Sequence, residues 1–322
     1  MALAIVLFLF GLVMLYFGAE WLVAGASSAA LRFGIAPLVV GLTVVAFGTS
    51  APELLVSLLA LADGKDGISV GNIIGSNIAN IALILGCAAL VRPIQVSEIA
   101  VKREYPIMLA ASALLVLLAH DGNLSRIDAG IMLVGMAAFL GVSLWRGLKG
   151  GEDVELPEEL EELDVDENNL GKDLLLLGGG ILGLALGAYL LVENSIFIAK
   201  EFEVPDLVIG ISIVAIGTSL PELATSVVAS YRGESDISVG NVIGSNIFNI
   251  LLVLGIVAII MPITVGEVAV NIDMWVMLAI SIIIWPVMRT GLRINRVEGS
   301  LLLVGYVGYI IYLFMRTAEA GV

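Results

Sequence analysis

The sequence predicts an all-α integral membrane fold: ten transmembrane helices in two inverted five-helix repeats, with broken helices at the midplane. Three observations carry this prediction. Of 322 residues, 59% are hydrophobic and only 14% charged, with a mean hydropathy of +1.06; a soluble domain has about 45–50% apolar and about 25% charged residues. Ten apolar stretches approach the roughly 20 residues that a bilayer-spanning helix needs. The chain also repeats itself at an offset of 169 residues.

The stretches cover residues 2–25, 35–62, 68–91, 104–119, 127–145, 173–195, 204–230, 237–261, 268–288 and 298–315. With the first residue outside, 11 of the 15 Lys and Arg residues fall in cytoplasmic loops. The positive-inside rule then places both termini outside, with the lipid bilayer as the surroundings. A net charge of −15 excludes a nucleic-acid binder. One cysteine, Cys87, and one histidine, His120, leave no disulfide, no thiolate or imidazole metal cluster and no Ser-His pair. With no nucleophile–base pair and no zinc motif, the chain does not read as an enzyme.

The repeat is long. Residues 38–57, LVVGLTVVAFGTSAPELLVS, match 207–226, LVIGISIVAIGTSLPELATS, at 12 of 20 positions. Residues 69–86, SVGNIIGSNIANIALILG, match 238–255, SVGNVIGSNIFNILLVLG, at 14 of 18. Each half holds five spans. Five is odd, so the second half enters the membrane upside down, the plan of transporters whose site lies at the midplane between broken helices. The expected organisation is a first repeat over 1–146 (motifs at 41–57 and 69–86), an acidic cytoplasmic loop over 147–171, and a second repeat over 172–322 (motifs at 210–226 and 238–255). Ten of the 30 acids lie between 152 and 167. They read as a solvated linker, with a low-affinity calcium-sensing loop as the sharper alternative.

The repeated motifs fix the chemistry. Proline lacks an N–H and turns the preceding residue away from helix, so GTSAPE (48–53) and GTSLPE (217–222) predict mid-span breaks. Ser50-x-x-Glu53 and Ser219-x-x-Glu222 match capping boxes. The breaks should free carbonyls near Ala46, Thr49, Ala215 and Thr218. Glu53 and Glu222 are acids at the bilayer centre, each costing at least about 2.5–3.5 kcal/mol there. No Lys or Arg lies within the motifs to neutralise them, so a mobile cation is expected; a purely structural, protonated or cap-bonded pair is the alternative. Ser76 and Asn80 lie one helical turn apart on one face, and Ser245 and Asn249 repeat them. Glycines 71, 75, 240 and 244 form small-xxx-small pairs for close helix approach. Carboxylate, hydroxyl, amide and carbonyl oxygens suit hard cations such as Na⁺ and Ca²⁺. Two carboxylates balance one Ca²⁺, and monovalent ions could replace it only in multiples.

GTSAPE with GNIIGSNIAN, and GTSLPE with GNVIGSNIFN, resemble the two alpha repeats of the calcium/cation antiporters. The region 87–146 is most similar to their prokaryotic sodium/calcium exchanger branch. The resemblance implies alternating access in a prokaryotic plasma (inner) membrane, with Na⁺ and Ca²⁺ as transported ions, no cofactor, and a functional monomer. By position it implies Ca²⁺ on Glu53, Glu222, Thr49 and Thr218. It implies Na⁺ on Ala46, Thr49, Ser50, Glu53 and Ser76, and on Ala215, Thr218, Ser219, Glu222 and Ser245. Asn80 and Asn249 would border the central site. Some relatives carry aspartate where this chain has Asn249, so potassium dependence is not expected. A Ca²⁺/H⁺ antiporter using the same two glutamates is the alternative, and Sr²⁺, Ba²⁺ or Cd²⁺ are further candidate ions.

Overall fold

The computed structural model describes residues 1–149, 170–202 and 215–319. Most of the predicted loop, including its acidic run, and the start of the predicted span 204–230 lie outside those residues. The helices are α1 (Ala2–Phe33), α2 (Pro37–Ala62), α3 (Asp66–Val91), α4 (Tyr105–Leu118), α5 (Arg126–Lys149), α6 (Leu170–Glu201), α7 (Leu220–Arg232), α8 (Ser235–Ile260), α9 (Ala269–Arg289) and α10 (Arg296–Glu319). Among the described residues, eight helices are long and apolar enough to cross a bilayer. The predicted spans 104–119 and 204–230 are not among the eight. Helix α4 continues without a break from a π-helical segment at Ala100–Glu104, where Lys102, Arg103 and Glu104 make the combined run too charged, and the start of the other lies beyond the described residues.

Local chemistry explains the boundaries. Helix α1 ends at Gly34, whose φ of 59° is left-handed and lets its N–H and that of Ile35 reach back to Leu31 and Ala30. Pro37 opens α2, where its missing N–H is no loss.

Helices α3 and α8 form the centre. In each, 78% of the spanning window is buried, against 28% in α1, α5 and α6 and 17% in α10. The outer helices turn Leu3, Leu175, Leu182 and Val304 outward, as lipid-facing surfaces must. A second apolar cluster, separate from the main core, joins α1 to α6 through Leu15, Leu22, Val23 and Leu184. There glycines replace side chains: a Cβ on Gly18 would lie 2.7 Å from the Leu184 nitrogen, and one on Gly187 would lie 2.7 Å from the Leu15 nitrogen. Gly11 meets Gly187 and Gly18 meets Gly183, so the two helices run antiparallel.

The contacts are reciprocal at the 169-residue offset. Strand β1 (Ile94–Gln95) pairs with β4 (Arg293–Ile294), and β2 (Asn123–Leu124) pairs with β3 (Ile263–Thr264), both antiparallel. Gln95 N–H reaches Ser235 Oγ, and Thr264 N–H reaches Asp66 Oδ2. Gly240 and Gly244 pack within van der Waals limits of Leu38 and Leu42 on α2, the close approach expected of them. Apart from the adjoining backbone of α3 itself, no described atom lies within 4 Å of a Cβ built on Gly71 or Gly75.

Candidate cation site

Two helix breaks build the site. Helix α2 halts after Thr49; Ser50 leaves helical geometry (φ −81°, ψ 3°), and helix resumes at Ala51 with Pro52 in its first turn. The proline has no N–H for the Gly48 carbonyl, four residues back. The second half repeats this: a turn at Ala215–Gly217, Ser219 at φ −88° and ψ 7°, then α7 with Pro221 in its first turn. Each restarted helix carries its glutamate in the first turn, at the positive end of its dipole. Glu53 and Glu222 are both 0% exposed. Among the described residues neither makes an ion pair. Arginines are paired elsewhere: Arg32 with Asp173, Arg103 with Glu104, Arg316 with Asp273, and Arg232 with Glu20.

The capping boxes expected at Ser50 and Ser219 do not form; neither serine caps its own helix through its side chain. Their hydroxyls cross the site instead. Ser50 Oγ donates to Glu222 Oε1 at 3.3 Å, and Ser219 Oγ lies 3.4 Å from Glu53 Oε1 and 3.1 Å from Ser76 Oγ. Ser76 Oγ also reaches Glu53 Oε1 at 3.4 Å. A buried carboxylate requires a donor, and turning each hydroxyl toward it carries the serine oxygen away from the N–H groups of its own helix that a cap would satisfy. Each half thus supplies a donor to the other's acid.

Asn72 and Asn241 hold the breaks in place. Asn72 Nδ2 donates to the Glu53 carbonyl (3.3 Å) and Ser57 Oγ (3.2 Å), while its Oδ1 accepts from Thr218 Oγ1 at 3.2 Å. Asn241 does the same with the Glu222 carbonyl, Ser226 Oγ and Thr49 Oγ1, at 3.4, 2.9 and 3.1 Å. Thr49 Oγ1 also lies 3.3 Å from Ser245 Oγ. The Ala46 carbonyl, expected to be freed, is occupied: it accepts from the Ser50 N–H at 3.0 Å and from Thr49 Oγ1 at 3.3 Å. Of Ala215, only the backbone lies within the described residues.

Asn80 and Asn249 are buried beside this network, on π-helical segments at Asn80–Ile84 and Phe248–Leu254, a distortion frequent at functional sites. Asn80 Nδ2 donates to Asn246 Oδ1 (3.0 Å), and Asn249 Nδ2 to Asn77 Oδ1 (3.1 Å). The amides of Asn246 and Asn77 then donate to the sulfurs of Met108 (3.4 Å) and Met277 (3.6 Å). The motif reading missed these methionines. Their signal was present: MLAAS (108–112) and MLAIS (277–281) repeat at the same offset.

Four buried oxygens here have no hydrogen-bond partner among the described residues: Glu53 Oε2, Glu222 Oε2, Asn80 Oδ1 and Asn249 Oδ1. Leaving a buried acceptor unpaired costs about 1–3 kcal/mol. All four are acceptors, related in pairs by the repeat, so they match a positive ligand. Among the described residues no cluster of three or more His, Cys, Asp or Glu exists; the donor set is mixed oxygen, which hard cations prefer.

Fold and site together define a helical membrane protein with an oxygen-lined, doubly acidic centre shared between its two halves. The sodium/calcium exchanger protein family matches the chain twice, at residues 3–145 and 172–315. The chain is 41% identical over 321 residues to the putative antiporter CaxA of Alkalimonas amylolytica, covering 98% of this chain and 99% of that protein. It is 40% identical over 322 residues to the inner membrane protein YrbG of Escherichia coli, covering 98% of each. Its structure matches the sodium–calcium exchanger NCX_Mj, soaked with Na⁺ and Sr²⁺, with a TM-score of 0.83 and 34% identity over 96% of this chain and 98% of the other. The chain belongs to the sodium/calcium exchanger family.

Proposed function

We propose that the protein is a secondary active antiporter that exchanges Na⁺ for Ca²⁺ by alternating access, exporting Ca²⁺ at the expense of the Na⁺ gradient. The observation that carries this is the pair of buried glutamates, one from each helix break, each with one oxygen bonded by a serine of the other half and one left unpaired. Empty, the site holds two like charges in a low dielectric; one Ca²⁺ or several Na⁺ neutralise it. An empty carrier is costly to reorient and a loaded one is not, so crossing requires an ion in each direction.

In this reading Ca²⁺ binds Glu53 and Glu222 with Thr49 and Thr218. Na⁺ occupies two outer positions, grouped as the crossed serine contacts group them rather than by half: Glu53, Ser76 and Ser219 with Thr218, and Glu222, Ser50 and Ser245 with Thr49. Ala46 joins its position only when the Thr49 hydroxyl rotates off its carbonyl, and Ala215 is its counterpart. The reciprocal contacts support ten spans in two inverted five-helix repeats, 1–146 and 172–322, joined by the loop 147–171; the Lys and Arg distribution favours both termini outside a prokaryotic inner membrane, and because the two halves of one chain complete the site, one chain is the working unit. Sr²⁺ follows from its use with NCX_Mj; Ba²⁺ and Cd²⁺ follow from charge alone.

A Ca²⁺/H⁺ antiporter is the second reading, because protons could also satisfy the unpaired oxygens of both acids. Purified protein in vesicles separates the two. Ca²⁺ uptake driven by an outward Na⁺ gradient at equal pH supports Na⁺ coupling. Uptake driven by a pH gradient and indifferent to Na⁺ overturns it.

A further inference from the structure

Two methionines end the amide chains that border the central site. Met108 and Met277 are fully buried and stand 169 residues apart. A thioether sulfur can only accept a hydrogen bond. Each therefore dictates which way its asparagine faces. Asn77 must turn its NH₂ to Met277, which leaves its Oδ1 to accept from Asn249 Nδ2. Asn249 has then turned its own NH₂ away, and its Oδ1 is left without a partner among the described residues. The chain Met108–Asn246–Asn80 repeats every step and ends on the unpaired Asn80 Oδ1.

We propose that Met108 and Met277 are positioning residues that set the polarity of these two amide chains, so that Asn80 and Asn249 offer carbonyl oxygens, rather than amide hydrogens, to the ion. The inference rests on the cation-binding reading above. Neither methionine touches the glutamates; each acts through two asparagines. Without the sulfur, Asn77 has no reason to keep its NH₂ outward. Reversing it would oblige Asn249 to accept with its oxygen and point hydrogens at a cation.

The test compares Met108→Leu and Met277→Leu in vesicles, each alone and combined with Asn249→Asp. Leucine keeps the volume and removes only the acceptor. With Asn249 intact, the Ca²⁺ half-saturation concentration should rise about three- to tenfold, the range of one neutral hydrogen bond, with the effect on half-saturation rather than maximal rate. In Asn249→Asp the introduced carboxylate has no N–H to give, so Asn77 must already donate to it. In that background Met277→Leu should have no effect, while Met108→Leu, in the other chain, should keep its full effect. Unchanged half-saturation in both single variants overturns the proposal. So does an equal rise from Met277→Leu whether or not Asn249→Asp is also present, which is the signature of packing alone. Asparagine-selective ¹⁵N spectra of the detergent-solubilised protein read the same point without transport. The side-chain amide signals of Asn77 and Asn249 should move in Met277→Leu, and their staying fixed refutes the relay. A wild-type protein that moves no Ca²⁺ would refute the functional reading instead and leave the spectra to decide the relay.

Discussion

Replacing Glu53 by glutamine should produce opposite changes in stability and in binding. The substitution keeps the shape and the Oε1 that accepts from Ser76 and Ser219. It puts an NH₂ where Oε2 now lies unpaired. Removing one partner of a buried charged pair costs about 3–5 kcal/mol, which is roughly 140- to 3,700-fold in Ca²⁺ affinity at about 1.4 kcal/mol per tenfold. In the absence of ions, the same change deletes an uncompensated buried charge and should stabilise the protein. The assay is thermal unfolding in detergent, with chelator and with saturating Ca²⁺, beside uptake of radioactive Ca²⁺ into vesicles. In the wild type, Ca²⁺ at 100 times its dissociation constant should add about 2.7 kcal/mol of stability. Glu53→Gln should melt higher than wild type in chelator, gain nothing from the same Ca²⁺, and transport none. Glu222→Gln should behave alike, because its surroundings repeat those of Glu53. A Glu53→Gln protein that melts lower in chelator and still gains stability from Ca²⁺ would refute the argument.

Three further outcomes follow from the same contacts. Ser219→Ala removes a donor to Glu53 but no helix cap; cation half-saturation should rise about tenfold, as for a lost charge-assisted bond, and Ser219→Gly should melt no higher than Ser219→Ala, whereas recovery by glycine of the roughly 1 kcal/mol that alanine loses at a cap would contradict the crossed geometry. Asn72→Leu strands the Glu53 carbonyl, Ser57 and Thr218 together; at about 1–3 kcal/mol for each buried group left unpaired, melting should fall sharply in chelator as well as in Ca²⁺. Gly18→Val drives a side chain into the backbone of α6 at Leu184 and should cost about 1–3 kcal/mol by overpacking, whereas Gly130→Ala, with open space around it, should be neutral or stabilising by up to about 1 kcal/mol; both are read by thermal unfolding.

The breaks were legible because they depend on local covalent chemistry. A proline within an apolar run removes one N–H wherever it sits, so GTSAPE and GTSLPE announced their interruptions without reference to the rest of the chain. The burial of α3 and α8 was legible for a different reason: polar, glycine-rich segments cannot face lipid and must go inside. The π-helical segments at Asn80–Ile84 and Phe248–Leu254 were not legible. One extra residue in a turn leaves hydrophobic spacing nearly unchanged, and what fixes it is packing from neighbouring helices.

The capping boxes show where local reading fails. Ser-x-x-Glu is a sound N-terminal signature when the serine and the glutamate have only their own backbone to satisfy. Here a second copy of the same motif lies across the site, and each serine is turned toward the buried carboxylate of the other half, its hydroxyl donating there instead of its oxygen accepting from the N–H groups of its own helix. The same reasoning separates the asparagines. Asn72 and Asn241 spend two donors and one acceptor on the protein and hold the breaks together, whereas Asn80 and Asn249 spend a donor and keep an oxygen. The two kinds are alike in the sequence, since both sit in GNxxGSNxxN. Only the partner across the interface, a threonine in one case and an asparagine held by a thioether in the other, decides which becomes scaffold and which is left facing the ion.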